Sequence, residues 1–396
     1  MPMITFGIVG QFFNDIRRIQ STRDNIKNVV SGIDKVTKKR KIIKGVHFFT
    51  HEDIYFHHLI REIAAYYELN RPFDIIIDDF TMKAYIVIDR MYHIREYLRN
   101  LEIKRKMSVF KKWTGQLVYE MLLCWCHGFF HNDIKPGNVM TDDDENAHLI
   151  DFDIITNINA MEPIYTAGYR APELYNNVVI KANDLYMNAR EYYKDNKMAT
   201  SYDGYKCEIW SLANTLLSSW RGRNVCQIMS FTDFIMVHKQ FKGVSSSDVI
   251  QILPYDAHSE HNLRNYFNDY VDDDKDDLID LFTKMLYLEP DNRISHRDLM
   301  VHSFLSDNED LKNLNFDLMS KMFYQIIKNP TKVKKYFMSK LPEHFSDDLK
   351  RLCCAYVIDS ISESGDSTIR VFDDYEPHEK IEILSHIINM ENLHIK

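Results

Sequence analysis

Between residues 131 and 153 the chain orders its chemistry-bearing residues so tightly that few folds can accommodate them. The first segment reads His131-Asn132-Asp133-Ile134-Lys135-Pro136-Gly137-Asn138-Val139, and the second reads Leu149-Ile150-Asp151-Phe152-Asp153. Short strands are predicted between them, near Asn138–Met140 and Ala147–Ile150, joined by the acidic turn Asp142-Asp143-Asp144-Glu145-Asn146. A strand–turn–strand hairpin reverses the chain, so Asp133 and Asp151, 18 residues apart, can be returned side by side. A lone Asp would read as a turn residue. Two carboxylates, a lysine and an asparagine in this order, with a hairpin between them, read as a built site.

The surrounding pattern sets the architecture. In the first hundred residues, strands are predicted at Lys41–Phe49, Phe73–Asp79 and Ala84–Asp89, with a helix over His51–Leu69. From Ser108 the period changes: Val109, Trp113, Leu117 and Met121 recur every four residues and mark one apolar helix face. After Glu173 the chain reads as mostly helical to its end. The expectation is an α+β protein of two lobes, small and β-rich then large and helical, with the boundary near Met91–Tyr97.

The two segments around the hairpin resemble the catalytic loop, H-R-D-x-x-x-x-N, and the metal-binding motif, D-F-G, of eukaryotic-type serine/threonine protein kinases. The resemblance implies the two-lobed protein-kinase fold and transfer of the γ-phosphoryl group of ATP, with Mg²⁺, to Ser or Thr of protein substrates. Under it, Asp133 receives the proton of the substrate hydroxyl and Lys135 supplies positive charge where negative charge develops. Asn138 and Asp151 supply hard oxygens for the metal. The segment Tyr165-Thr166-Ala167-Gly168-Tyr169-Arg170-Ala171-Pro172-Glu173 looks like the family's T-x-x-Y-x-A-P-E, which makes Thr166 part of the substrate platform. Its Glu173 is expected to pair with Arg293, in Leu286–Ile294. Glu208-Ile209-Trp210-Ser211-Leu212-Ala213 resembles D-x-W-S-x-G, with Glu and Ala replacing Asp and Gly. In the small lobe, Ile42-Ile43-Lys44 resembles V-A-I-K, and Glu62 lies 18 residues on as its ion-pair partner. Ile86–Met91 resembles the hinge, implying backbone contacts to adenine at Asp89 and Met91. The domains follow as 1–91, 92–305 and a helical extension, 306–396, on which a protein partner is expected. In the extension Leu318, Met322 and Ile326 recur every four residues.

The departures from the family matter as much. The nucleotide loop falls near Ile19–Val30, which contains no glycine. Asp153 replaces the glycine of D-F-G, and Asn132 replaces the arginine that grips an activating phosphate. The segment Ile154–Tyr165 is short, and Tyr175–Tyr202 reads as an insertion. The missing glycines and Asp153 support a rival reading, a pseudokinase acting as a binding or scaffold module. A small-molecule kinase is opposed by the Thr166–Glu173 segment.

Composition narrows the classes. A formal charge of -9 argues against nucleic-acid binding. The runs Lys38–Lys41 and Asp272–Asp277 read as solvated faces. No long uncharged apolar stretch occurs, so no membrane span is expected. Met1–Gly10 lacks a basic segment followed by an apolar core, so no secretory signal is expected. Six cysteines without a CxxC pair fit a reducing, cytoplasmic setting. The abundance of Asn, Ile, Lys and Tyr suggests an AT-rich, viral genome.

Overall fold

The computed structural model describes residues 8–21, 27–47, 62, 65–66, 69, 71–78, 83–126, 129–152, 156–157, 166, 169, 171, 203–222, 227–230, 249–252, 260–287 and 290–316. A short helix, α1 (Val9–Phe12), leads into a five-stranded antiparallel sheet. Its strands are β1 (Phe13–Ser21), β2 (Lys27–Asp34), β3 (Arg40–His47), β4 (Asp74–Asp78) and β5 (Lys83–Asp89), in the order β1-β2-β3-β5-β4.

The sheet's two faces do different work because side chains alternate along a strand. Ile43, opposite Val87, joins Val9, Phe13 and Val30 in a small core on one face. Lys44, opposite Ile86, is therefore on the other face, and Ile86 belongs to the main core. The register alone thus points Lys44 away from the outer core.

The predicted strands in the 40s, 70s and 80s are present, but β1 and β2 are additions to that reading. Register shifts between Asn14 and Arg17 and between Arg18 and Gln20 break the two-residue alternation, and Asp15 has φ +48°. A bulged, charged edge strand hides its periodicity. Of the predicted helix His51–Leu69, Glu62, Ala65, Tyr66 and Leu69 are described; the first three are helical and Leu69 lies in a turn.

A short strand, β6 (Tyr92–His93), and a helix, α2 (Ile94–Arg99), follow the sheet. The long α3 (Ile103–Cys126) starts five residues before the predicted point. Trp113, Leu117 and Met121 are wholly buried, as their spacing predicts, and so are Phe110, Val118 and Leu122. A helix apolar on more than one face must sit between layers. It packs against α4 (Gly204–Arg221), in which every residue from Cys207 to Trp220 is buried. Asp203 caps α4 by accepting hydrogen bonds from the Tyr205 and Lys206 amides, and Gly222, at φ +69°, ends it. Phe110, Trp220, Phe267 and Phe282 meet at ring-centroid separations of 5.0 to 6.2 Å between these helices, α5 (Glu260–Tyr266) and α6 (Lys275–Met285). Burying one such ring stabilises by about 1.5–3 kcal/mol. The region after Glu173 is not uniformly helical: Gln227–Ser230 and Val249–Ile252 pair as an antiparallel hairpin. Their β-branched residues Ile228, Val249, Ile250 and Ile252 favour that state.

A small sheet carries the catalytic motifs. β6 pairs with Val139–Thr141, which pairs with Ala147–Leu149 across the predicted acidic turn. The turn is anchored on α3: Trp113 Nε1 donates to the Glu145 carbonyl at 2.9 Å, and Gln116 accepts from the Ala147 amide at 2.9 Å. Among the described residues no helix is long and apolar enough to cross a membrane. The predicted pattern at Leu318–Ile326 and the insertion Tyr175–Tyr202 lie outside the described residues, as does most of 306–396.

One buried ion pair joins the two lobes behind this hairpin. Arg71 contacts Glu120 at 2.5 Å and also donates to the Leu149 carbonyl. Glu120 accepts from the Leu149 amide at 2.7 Å and contacts His148 Nδ1 at 2.9 Å. Burial penalises the Glu120 carboxylate, but Arg71 and His148 outweigh it and hold its pKa below the ordinary value. Removing one partner of a buried pair strands the other. Arg71→Met is expected to destabilise the protein by about 3–5 kcal/mol in urea unfolding. A loss below about 1 kcal/mol, typical of exposed pairs, would contradict this account.

Candidate active site

The site is assembled where β3, the helical segment at Glu62 and the end of the catalytic hairpin converge. Lys44 Nζ donates to Glu62 Oε2 at 2.6 Å and to Asp151 Oδ1 at 2.5 Å. Burial opposes the ammonium's charge, but Glu62 and then Asp151 more than compensate and hold its pKa above the ordinary lysine value. The pairing of Lys44 with Glu62 matches the sequence expectation. The second bond, to Asp151, spans 107 residues and ties the small lobe to the large one. Tyr66 supports Glu62 from one turn on, its hydroxyl donating to Oε1 at 3.2 Å.

Asp133 sits on the other side of the hairpin, 9% exposed. Asn138 Nδ2 donates to its carboxylate and to its backbone carbonyl, both at 2.9 Å. Lys135 Nζ donates to Asp133 Oδ2 and, at 3.0 Å, to Thr166 Oγ1. The Thr166 hydroxyl in turn donates to Asp133 Oδ1. Asp133, Lys135, Asn138 and Thr166 are therefore one bonded cluster, as their motifs imply.

Two backbone kinks shape this site. Asn132 and Asp151 have φ of +63° and +66°. For residues other than glycine such angles cost about 1–3 kcal/mol each and persist only where neighbours over-determine them. At Asn132 the neighbour is Glu208. Its carboxylate accepts from the Asn132 amide at 2.8 Å and from Trp125 Nε1 at 2.7 Å. The longer Glu208 thus reaches the catalytic-loop backbone that the family's aspartate reaches. At Asp151, the preceding Ile150 is held from both sides. Its amide donates to the Asn138 carbonyl at 2.9 Å, and its carbonyl accepts from His131 Nε2 at 3.0 Å. His131 Nδ1 accepts from the Asp133 amide at 3.3 Å, which fixes the neutral tautomer with the proton on Nε2. Burial lowers the His131 pKa and keeps it neutral.

Phe152 completes the frame. It is wholly buried, with the Tyr66 ring edge-on at 5.7 Å, the His131 ring at 4.9 Å and the Arg71 guanidinium at 5.5 Å. Three residues, from both lobes, are thus packed around the residue next to Asp151.

The remaining predicted residues are placed as follows. Asp89 ends β5 and its side chain pairs with Lys41 at 2.8 Å; Met91 lies just before β6. Arg293 is 1% exposed, lies over the Trp210 ring at 5.1 Å and donates to the Tyr287 and Lys206 carbonyls. Its predicted partner Glu173 lies outside the described residues, as do Asp153 and Tyr165. The strands β1 and β2 flank the glycine-free nucleotide loop, whose tip is also outside them.

The donor set fits Mg²⁺. Asn138 commits its Nδ2 to Asp133, which leaves its Oδ1 for other partners, and the Asp151 side chain is 35% exposed. Two hard oxygens suit an ion held by one or two protein groups plus substrate phosphates. When bound, such an ion would neutralise phosphate charge at Asn138 and Asp151.

Sequence reasoning missed Arg71, Glu120 and Tyr66. Glu120 did leave a signal: a carboxylate within the otherwise apolar stretch Leu117–Trp125 needs a buried partner.

A β-rich small lobe, a helical large lobe and this constellation define the protein-kinase fold. The family model described as "Protein kinase domain" matches residues 25–305, and the chain belongs to that family. It is similar to Mitogen-activated protein kinase pmk-3 of Caenorhabditis elegans, 23% identical over 213 residues, covering 48% of this chain and 40% of the relative. CBL-interacting serine/threonine-protein kinase 12 of Arabidopsis thaliana is 28% identical over 135 residues, covering 32% and 25%. Mitogen-activated protein kinase 13 of Mus musculus is 22% identical over 302 residues, covering 71% and 75%. The chain thus spans less than half the length of the first two.

Glu208 yields a pH test. Burial raises its pKa from 4.5 to about 7, against the hydrogen bonds from Trp125 and Asn132. The folded protein therefore holds a proton that the unfolded chain releases. Its contribution to stability is full below pH 4.5 and is lost as pH rises through about 7. The depressed His131 pKa acts in the opposite sense, with stability lost as pH falls. Glu208→Gln removes only the first effect. Between pH 5 and pH 8 wild type should lose up to about 3 kcal/mol more stability than Glu208→Gln in urea unfolding. Parallel profiles would contradict the assignment.

Proposed function

We propose that this protein transfers the γ-phosphoryl group of ATP to serine or threonine hydroxyls of protein substrates, with Mg²⁺. One observation carries the reading: the Asp133 carboxylate accepts a threonine hydroxyl, that of Thr166, while Lys135 donates to both. This contact supports Asp133 as the group that takes a proton from an aliphatic hydroxyl. Phosphoryl transfer asks little covalent chemistry of the protein and depends on positioning and charge. Asp133 orients the incoming hydroxyl and takes its proton. Lys135 offsets negative charge on the transferring group. Lys44 meets the nucleotide phosphates, and Asn138 and Asp151 hold the metal. Asp89 and Met91 present backbone groups to adenine. The names of the relatives, two of them mitogen-activated protein kinases and one a serine/threonine-protein kinase, agree with this chemistry.

The test is transfer of radiolabelled γ-phosphate to generic protein substrates. Asp133→Asn should lower turnover by about 10²–10⁴-fold, the range for removal of a general base, without lowering the unfolding temperature. Near wild-type turnover in that variant would sink the reading. Absence of transfer by wild type, with MgATP still raising its unfolding temperature, would favour the pseudokinase alternative.

A further inference from the structure

A second charged site opens on the large lobe, away from the Lys44 cluster. It is a cavity of about 350 Å³ between α2, the start of α3 and the end of α4. Among the described residues, Arg95, Arg99, Lys106 and Arg221 line it, against a single carboxylate, Asp269. In a chain whose formal charge is -9, four cations around one anion form a local field opposite to the whole. The exposed Glu96 and Glu102 of the same stretch are not among its walls.

The cations are held in place by the fold. Lys106 Nζ sits 3.9 Å above the Trp220 ring and 3.7 Å from Asp269, whose other oxygen accepts from Trp220 Nε1 at 3.0 Å. Arg221 donates to the Tyr266 carbonyl at 3.0 Å. Arg99 donates to the carbonyl of Gly222, where the left-handed turn ends α4. Leu98 and Trp220, which line the same cavity, pack into the main core.

The cavity is also tied to the phosphoryl-acceptor site. Arg95 donates to the Tyr169 hydroxyl at 3.4 Å, and the Tyr169 carbonyl accepts from Ser211 at 2.9 Å. Tyr169 is three residues beyond Thr166, at most about 10 Å of chain, and Thr166 is bonded to Asp133. A polypeptide lying across Asp133 thus passes within a few residues of this positive field. Arginine forks match carboxylate and phosphate oxygens in two-point contacts.

We propose that the Arg95–Arg99–Lys106–Arg221 cavity selects the substrate by seating acidic side chains that flank its acceptor serine or threonine. The proposal rests on the phosphoryl-transfer reading and adds the substrate class to it. A flank carrying Asp, Glu or phosphoserine fits; a flank of lysine and arginine is repelled.

The test uses the full chain and three peptides sharing one Ser acceptor. Their positions about three to six residues from it, on either side, are acidic, neutral or basic, a spacing set by the roughly 3.4 Å advance of an extended chain per residue. The acidic peptide should have a kcat/KM about tenfold or more above the neutral one, as two-point charge-assisted contacts imply. In Arg99→Glu/Arg221→Glu that ratio should fall to one or below, and Arg99→Lys/Arg221→Lys should keep most of it. A ratio unchanged by charge reversal, in a variant with wild-type unfolding temperature, would overturn the proposal. Fluorescence anisotropy of the labelled peptides, without ATP, supplies a readout independent of catalysis. Selective binding of the acidic peptide that is lost on charge reversal, with no transfer to any peptide, would uphold the cavity and discard the phosphoryl-transfer reading. Equal binding of all three peptides by wild type would discard the cavity.

Discussion

A single ammonium between two carboxylates organises this molecule. Lys44 comes from the third strand, Glu62 from a helical segment beside the sheet, and Asp151 from the far side of a hairpin in the large lobe. Each would be costly to bury alone. Together they satisfy one another, and the arrangement forms only when the sheet, the helical segment and the hairpin are all in register. The rest of the structure supplies that register. Alternation along β3 turns Lys44 to the correct face, Tyr66 braces Glu62, and Phe152 is packed by residues of both lobes. Arg71 and Glu120 add a second cross-link behind the hairpin, so the lobes are joined in the cleft and at its back.

The catalytic loop relies on a different device. Its backbone is bent at Asn132 and again at Asp151, and neither bend uses a glycine. A buried glutamate and a neutral histidine accept or donate at these bends. Asp133 is thereby presented to Lys135, Asn138 and Thr166 with little freedom, as a site that works by positioning requires. The replacement of the family's Asp by Glu208 is accommodated because one carboxylate oxygen bonds the loop and the other bonds Trp125.

Much of this was readable from residues 131–153, because a hairpin between two carboxylate motifs is a local feature and local features leave periodic signals. Lys44 and Glu62 were readable by their spacing to that core. The first two strands were not, since bulges at Asn14–Arg17 and Arg18–Gln20 scramble their alternation. The hairpin at Gln227–Ser230 was lost within a region of helical character. Arg71 and Glu120 escaped because their partnership spans 49 residues and lives in tertiary packing. The left-handed angles at Asn132 and Asp151 leave only a weak mark: Asn and Asp tolerate such angles better than other side chains, but they adopt them at few of their positions. The basic cavity also escaped, since its four cations come from three helices.

Under the proposed phosphoryl-transfer function, the Lys44–Glu62–Asp151 cluster, rather than a glycine-rich loop, would set how ATP is held. Steady-state phosphoryl transfer against ATP concentration, for wild type and Glu62→Gln, tests it most directly. Glu62→Gln keeps the hydrogen-bonding shape but removes the charge that holds Lys44. The account predicts that kcat/KM for ATP falls by about tenfold or more, as expected when a buried charge loses its partner. An unchanged kcat/KM, in a variant that folds as wild type, would contradict it.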